Sequence, residues 1–275
     1  MRLILIFALI SFQTLAQDDI NVMTFNIRYA TPSDGVNQWE NRKEKVAQTI
    51  SYYHSDIAGL QEATEPQVLY LAEKLDNYAW VGVGRDDGKA KGEFAPIFYN
   101  KDRIQLVKWK TSWLSKTPGI PSKDWDAALP RIATIAHLKR KSDGLTFIAI
   151  NTHYDHKGEV ARVESSKLIL EIVNTFLAQG FKVVLMGDFN SRPLDEPILT
   201  YTRGGLANSF DISSTSHFGP INTFTGFNNI ERPDSQIDHI FVNSEIKVKS
   251  HATISQAWEG LYASDHHAVI ATLKF

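Results

Sequence analysis

Short apolar runs recur along this chain, and again and again they end in a polar residue suited to holding a ligand. VMTF runs into Asn26, IAGLQ into Glu62, IAINT into His153, and VVLMG into Asp188 and Asn190. Runs this short and this rich in β-branched residues read as buried strands rather than helices. The same pattern predicts strands over 20–27, 57–61, 80–83, 95–99, 104–109, 132–138, 146–152, 182–186, 237–242 and 268–273. Amphipathic helices fill gaps between them. One is expected over about 41–54, with Val46, Ile50 and Tyr53 on one face and Trp39 packing at its start. Another is expected over about 160–179, where Leu168, Ile169, Ile172, Val173 and Phe176 form a core-facing stripe before Gly180 ends the helix. Gly- and Pro-containing loops follow at 31–35, 85–92, 117–122 and 213–227. This alternation, free of repeats and low-complexity tracts, gives an α/β fold class. The 275 residues, 43% of them hydrophobic, suit one large domain.

The first residues have a cationic start at Arg2, an apolar run through Phe12, and small residues at Thr14 and Ala16. Residues 1–16 are therefore expected to be a signal peptide, with the domain over 17–275. The apolar run is too short to span a bilayer, and no other run approaches membrane length. The chain has no cysteine, which excludes disulfides, a thiolate metal site, a Cys nucleophile and a lipoprotein anchor. A periplasmic or secreted enzyme is expected. Removal of Arg2 leaves 28 basic against 31 acidic residues, a net charge of −3. A grip on bulk duplex nucleic acid usually shows as a basic surplus, so composition speaks against it.

The strand-end polar residues extend to Asp238 in SQIDHIF and to Asp265, His266 and His267 in ASDHH. Strand ends that aim polar groups at one place describe an active site. Carboxylate and amide oxygens suit Mg²⁺, Mn²⁺ or Ca²⁺, and histidines beside them can carry protons near neutral pH. Asp188 and Asn190, two apart on an extended segment, point the same way and can together hold a phosphate, a water or a metal.

The ordered set FNIR, GLQE, NTHYDH, GDFN, IDHIF and SDHH resembles the endonuclease/exonuclease/phosphatase superfamily over essentially the whole mature chain. That superfamily includes deoxyribonucleases, inositol polyphosphate phosphatases, sphingomyelinases and deadenylases. The resemblance implies a four-layer α/β/β/α sandwich of two mixed sheets flanked by helices, with the site at one edge of the sheets. It implies that Glu62, with Asn26 and Asp265, binds the divalent metal, Mg²⁺ or alternatively Mn²⁺. Asp188 and Asn190 would position or deprotonate the attacking water, and His266 would pair with Asp238. His153 would be the second active-site histidine, with Glu93 as its carboxylate partner, and Arg131 would contact phosphate.

Chemistry supports these roles independently. Hydrolysis of an anionic ester needs a cation and fixed donors where charge accumulates. A histidine held by a carboxylate keeps one tautomer and gains basicity. No motif for a phospho-enzyme nucleophile is present. Arg162 and His156, close after the NTH motif, are candidate substrate-binding residues. Arg85, Asp86, Asp87, Lys89 and Asp126 read as solvated loop charges, and Trp125 as a core anchor. The expected function is an exported metal-dependent phosphoesterase acting by direct attack of water, on a phosphodiester or phosphomonoester. Its substrate would be a phosphorylated small molecule, a glycolipid head group or nucleic acid, and no obligate protein partner is evident. A secreted nuclease is the alternative. A non-catalytic binding protein is disfavoured because the whole ligand set is present.

Overall fold

The computed structural model describes residues 19–228, 230 and 233–275. The expected signal peptide, residues 1–16, lies outside them. Two six-stranded sheets pack face to face. The chain opens with β1 (Ile20–Asn26), a 3₁₀ turn at Pro32–Asn37 and α1 (Trp39–Tyr52), followed by β2 (Ile57–Gln61) and α2 (Glu65–Lys74). It continues through β3 (Tyr78–Val81), β4 (Ile97–Asn100), β5 (Ile104–Trp113), β6 (Ile132–Arg140), β7 (Thr146–His153) and α3 (Glu159–Leu177). Then come β8 (Lys182–Asp188), α4 (Glu196–Arg203), β9 (Leu206–Asn208), α5 (Ser209–Ile212), β10 (Asp238–Asn243) and β11 (Lys247–Ile254). The small hairpin β12 (Ala257–Trp258) and β13 (Leu261–Tyr262) precedes β14 (Ala268–Lys274).

One sheet has the order β11-β14-β1-β2-β4-β3, the other β5-β6-β7-β8-β10-β9. Both mix parallel and antiparallel neighbours: β1 runs parallel to β2, and β7 to β8. Ile57, Ile97, Phe147, Met186, Ile240 and Val269 lie in the apolar layer between the sheets. Val46, Ile50, Val68 and Leu71 of α1 and α2 cover the first sheet, and Ile169, Val173, Ile198 and Tyr201 of α3 and α4 cover the second. The structure is the four-layer α/β/β/α sandwich that the resemblance implied. In α3, Ile169 and Val173 are fully buried while Leu168, Ile172 and Phe176 pack against the same cluster, so the stripe is core. Trp39 opens α1 and is buried.

Two contacts set how closely the sheets approach. A Cβ on Gly59 of β2 would come within 2.7 Å of the Asn151 side chain on β7, so only glycine fits there. Asn151 then donates to the carbonyls of Leu60 and Pro96 at 2.8 and 2.9 Å and accepts from Gln61 at 2.6 Å. This polar bridge pairs the Asn151 amide and the Gln61 N–H groups inside an apolar layer, while Gln61 Oε1 is left without a partner among the described residues. It also fixes the ends of β2 and β7, and hence Glu62 and His153, across from one another.

Candidate active site

Register brings the site together. His153 of β7 pairs with Asp188 of β8, and Asp188 pairs on its other side with Asp238 of β10. Asn26 ends β1 beside Gln61, so Glu62 follows at the neighbouring strand end. The two sheets meet there: the Asn26 amide donates to Asp188 Oδ2 at 2.9 Å and to Glu62 Oε1 at 3.2 Å. Glu62, Arg28 and Asn190 adopt left-handed backbone, with φ of 61°, 55° and 45°. Such strain costs of order 1–3 kcal/mol per residue and clusters at functional sites. Gly187 precedes Asp188 because a Cβ there would lie 2.2 Å from the Thr152 carbonyl.

Glu62, His153, Asp188 and Asn190 line a pocket of about 490 Å³ with Arg28, Tyr29, Glu93, Arg131, His156, Phe224, Asp265 and His266. At its floor, Asp188 is buried and accepts from the Asn190 backbone N–H at 2.9 Å. Its Oδ2 lies 3.5 Å from His153 Nε2 and 3.7 Å from His266 Nε2. Burial first, then the neighbouring Asp238, push the Asp188 carboxyl up to about 7 against the opposing pull of His266.

The two histidines differ. His266 Nδ1 lies 2.8 Å from Asp238 Oδ2. Burial alone would lower this imidazole, but Asp238 and then Asp188 outweigh it and raise it to about 10. Burial, then Arg131 and Arg85, hold His153 well below its ordinary value, so that ring is neutral. Its expected partner Glu93 sits 3.9 Å from Nδ1, outside hydrogen-bond range, because both Glu93 oxygens fork onto Arg85 at 2.6 and 2.9 Å. His153 instead meets the Asn190 amide through Nε2 at 3.2 Å, and its Nδ1 has no hydrogen-bond partner among the described residues.

Arg131 is almost fully buried. Its Nε donates to Asp155 at 3.2 Å and its Nη2 lies 3.0 Å from His156 Nδ1. Nη1 is buried without a partner among the described residues, a donor left for an anion in the pocket. Asp155 also accepts from the backbone N–H groups of Lys157 and Gly158 at 3.0 and 2.8 Å. Although burial opposes it, these donors hold its carboxyl far below the ordinary range, so a charged group anchors Arg131. Arg162 donates to the Asp155 carbonyl at 3.0 Å and lies in an adjoining groove rather than in the pocket itself.

Among the described residues, two places in the pocket region offer ligands to a cation. Asp188, Asp238 and His266 have potential ligand atoms within 4.8 Å of one another, yet Asp238 Oδ2 and His266 Nδ1 are already engaged together. The second place is Glu62 with Asn26 and Asp265. Among the described residues, Arg28 is the cation within salt-bridge range of Glu62 and Asp265, at 3.8 and 3.9 Å. Burial raises the Asp265 carboxyl, so its charged form is under-compensated in this oxygen-rich corner. A hard divalent cation fits that donor set.

Sequence reasoning missed several residues that build the site. Arg28, in the quoted FNIR, reaches between Glu62, Asp265 and Asp34. Asp155, in the quoted NTHYDH, orients Arg131. Arg42 on α1 is buried and donates to the carbonyls of Ile27, to Asn37 at 2.8 Å, to Arg28 at 2.7 Å and to Ala263 at 3.3 Å. It ties the segment after Asn26 to the segment before Asp265. A buried guanidinium without a carboxylate is costly, and burial lowers it to about 10. Phe224 packs over His266 at 5.0 Å.

Comparison with known proteins adds to this geometry. The profile of the Endonuclease/Exonuclease/phosphatase family matches residues 23–266. A solved endonuclease/exonuclease/phosphatase structure from Bacteroides vulgatus is 38% identical, covers 94% of this chain and 99% of that one, and superposes with a TM-score of 0.89. A mannosyl-6-phosphatase of Bacteroides thetaiotaomicron is 36% identical, with 93% and 100% coverage and a TM-score of 0.86. A probable RNA exonuclease of Saccharomyces cerevisiae is 25% identical over an alignment of 210 residues that covers 68% of this chain and 41% of that protein. The chain spans less than half the length of the curated fungal exoribonucleases it matches.

Proposed function

Because the chain belongs to the endonuclease/exonuclease/phosphatase family of metal-dependent phosphoric ester hydrolases, we propose that it is a Mg²⁺-dependent phosphoesterase acting on a small phosphorylated molecule, a phosphate monoester above all. The observation that carries this reading is the anion seat: the unpaired Nη1 of Arg131 and the protonated His266 face one pocket, with Asp188 between the two histidines.

Glu62 and Asp265 would hold the cation, Mg²⁺ or Mn²⁺, and Asn26, whose oxygen accepts from the Arg28 N–H at 3.0 Å while its amide nitrogen donates to Glu62, would join them by turning its oxygen toward it. When bound, it supplies charge neutralisation on the phosphoryl oxygens. Asp188, tuned to about 7, takes the proton of a water that Asn190 orients. As the water oxygen bonds to phosphorus, the bond to the leaving oxygen breaks. His266 delivers its Nε2 proton to that oxygen, while Arg131 and neutral His153 hold the remaining phosphoryl oxygens. His156, exposed beside Arg131, contacts the substrate at the pocket mouth.

Charge favours a small substrate over a strand. Arg85 is buried on Glu93, the exposed Lys89 and Lys91 lie outside the pocket lining, and Arg162 sits among carboxylates. The likeness to a mannosyl-6-phosphatase over 93% of this chain and the whole of that one supports the same choice. We read residues 1–16 as an export leader, which makes the enzyme periplasmic or secreted; no helix among the described residues is long and apolar enough to cross a membrane.

The test is a panel of p-nitrophenyl phosphate, bis-p-nitrophenyl phosphate and supercoiled plasmid, each with Mg²⁺. Turnover of the monoester should lead and plasmid nicking should be weak. Efficient, strongly salt-dependent nicking that disappears in His266→Ala would replace this reading with the nuclease alternative.

A further inference from the structure

Beside the catalytic pocket lies a second concavity of about 560 Å³, a size typical of small-molecule sites. The two adjoin, since Asn190, Phe224 and Ile237 line both. A group leaving from a phosphate seated at Arg131 and His266 can therefore extend past Asn190 into this groove.

Its lining states what that group is. Glu159, Asp195, Glu196 and Asp234 outnumber Arg162 and Arg192; with Glu196 paired to Arg203 at 2.7 Å and Asp234 to Arg192 at 3.7 Å, the groove keeps a modest acidic excess. The next phosphate of a nucleotide strand would meet carboxylates there, which excludes a polyanion. A long acyl chain would bury those charges without pairing them, which excludes a lipid tail. Ser191 is 1% exposed, and its hydroxyl has no hydrogen-bond partner among the described residues, although it borders the groove. Such a group is costly unless a ligand pairs with it. Arg192 and Asp234 lie 3.7 Å apart at the rim, both largely exposed, and so offer a donor and an acceptor side by side. The half-buried Phe224 ring supplies an apolar face between the two cavities. Paired acceptors and donors around one ring match a hydroxyl-rich, uncharged group. One aromatic ring does not make the aromatic cage that a quaternary ammonium takes.

We propose that this groove is the leaving-group subsite and that it selects a neutral polyhydroxylated group, making the substrate a phosphate ester of a sugar or polyol. The proposal rests on the monoesterase reading above. Glu159, Arg192 and Ser191 are its specificity-determining residues, and none of them takes part in the chemistry.

The experiment compares kcat/KM for mannose 6-phosphate, phosphocholine and p-nitrophenyl phosphate in the wild type and in Glu159→Gln, Arg192→Ala and Ser191→Ala. The first two changes are at exposed positions and the third removes one oxygen, so all three should fold. Loss of one hydrogen bond to the substrate is expected to lower kcat/KM on the hexose phosphate by about ten-fold, with p-nitrophenyl phosphate turnover unchanged. Free mannose should inhibit p-nitrophenyl phosphate hydrolysis in the wild type and less so in the variants. Equal losses on both substrates, no loss on either, or a preference for phosphocholine that Glu159→Gln abolishes would each overturn the proposal. A wild type that cleaves bis-p-nitrophenyl phosphate but no monoester would instead overturn the underlying monoesterase reading, and the groove assignment with it.

Discussion

Replacing Asp238 with Asn keeps the volume of a buried side chain and removes the charge that holds His266. In the native site the two groups meet at 2.8 Å, and Asp238 and Asp188 together carry His266 from 6.5 to about 10 against the effect of burial. A rise of about 3.5 pH units corresponds to about 5 kcal/mol in favour of the charged ring. Asp238 contributes the hydrogen bond and the nearer charge. Its loss should remove roughly half of that, on the order of 2–3 kcal/mol, and bring the His266 titration down by about two pH units. The sign follows from linkage. A histidine raised in the folded state stabilises fully below about 6.5 and loses that contribution as pH climbs through about 10. In the variant this loss should come about two pH units earlier. Histidine Cε1 resonances followed between about pH 5 and 11 report the titration, and thermal melts across the same range report the stability. A His266 that still titrates near 10 in Asp238→Asn would refute the pairing as the source of its charge.

The pH profile of kcat/KM should rise through about 7 as Asp188 ionises and fall toward about 10 as His266 loses its proton, with bound cation moving the acidic limb lower; a flat profile contradicts both assignments. His153→Ala should lower kcat by roughly two to four orders of magnitude with little change in melting temperature, the range for a positioned proton carrier or donor. A variant with near-native kcat would exclude His153 from the reaction. Arg42→Met should cost about 3 kcal/mol or more in a denaturant melt, because it strands several buried carbonyls. It should also weaken the rise in melting temperature that Mg²⁺ gives the wild type. A purely structural Arg42 would leave the Mg²⁺ increment intact in the folded fraction.

Legibility of the fold followed the strength of each pattern. β1, β2, β7, β8 and β10 are buried on both faces, so continuous apolar runs exposed them, and their polar ends named Asn26, Glu62, His153, Asp188 and Asp238. Edge strand β11, KVKSHATI, alternates buried residues with lysine and serine, so it shows itself only by that alternation and lacks the continuous apolar run that marks the central strands. β5 runs on to Trp113 because β6 pairs with it that far, which no local signal announces. Partnership within the site was less legible than membership. Glu93 was within reach of His153 by motif, but Arg85 takes both its oxygens, a choice made only in three dimensions. Arg42 was invisible because an arginine on an amphipathic helix normally reads as solvated, and only the fold shows it buried against the carbonyls of two loops.

The most direct test of a metal-dependent hydrolysis centred on Glu62 is phosphate release from p-nitrophenyl phosphate as Mg²⁺ is titrated into metal-stripped wild type and Glu62→Gln. The variant keeps the side-chain volume and loses the charge. The wild type should be silent in EDTA and recover with Mg²⁺ or Mn²⁺, while Glu62→Gln should stay folded and inactive at cation concentrations that saturate the wild type. Turnover that is indifferent to EDTA, or a Glu62→Gln variant with near-native turnover at low Mg²⁺, would contradict the account.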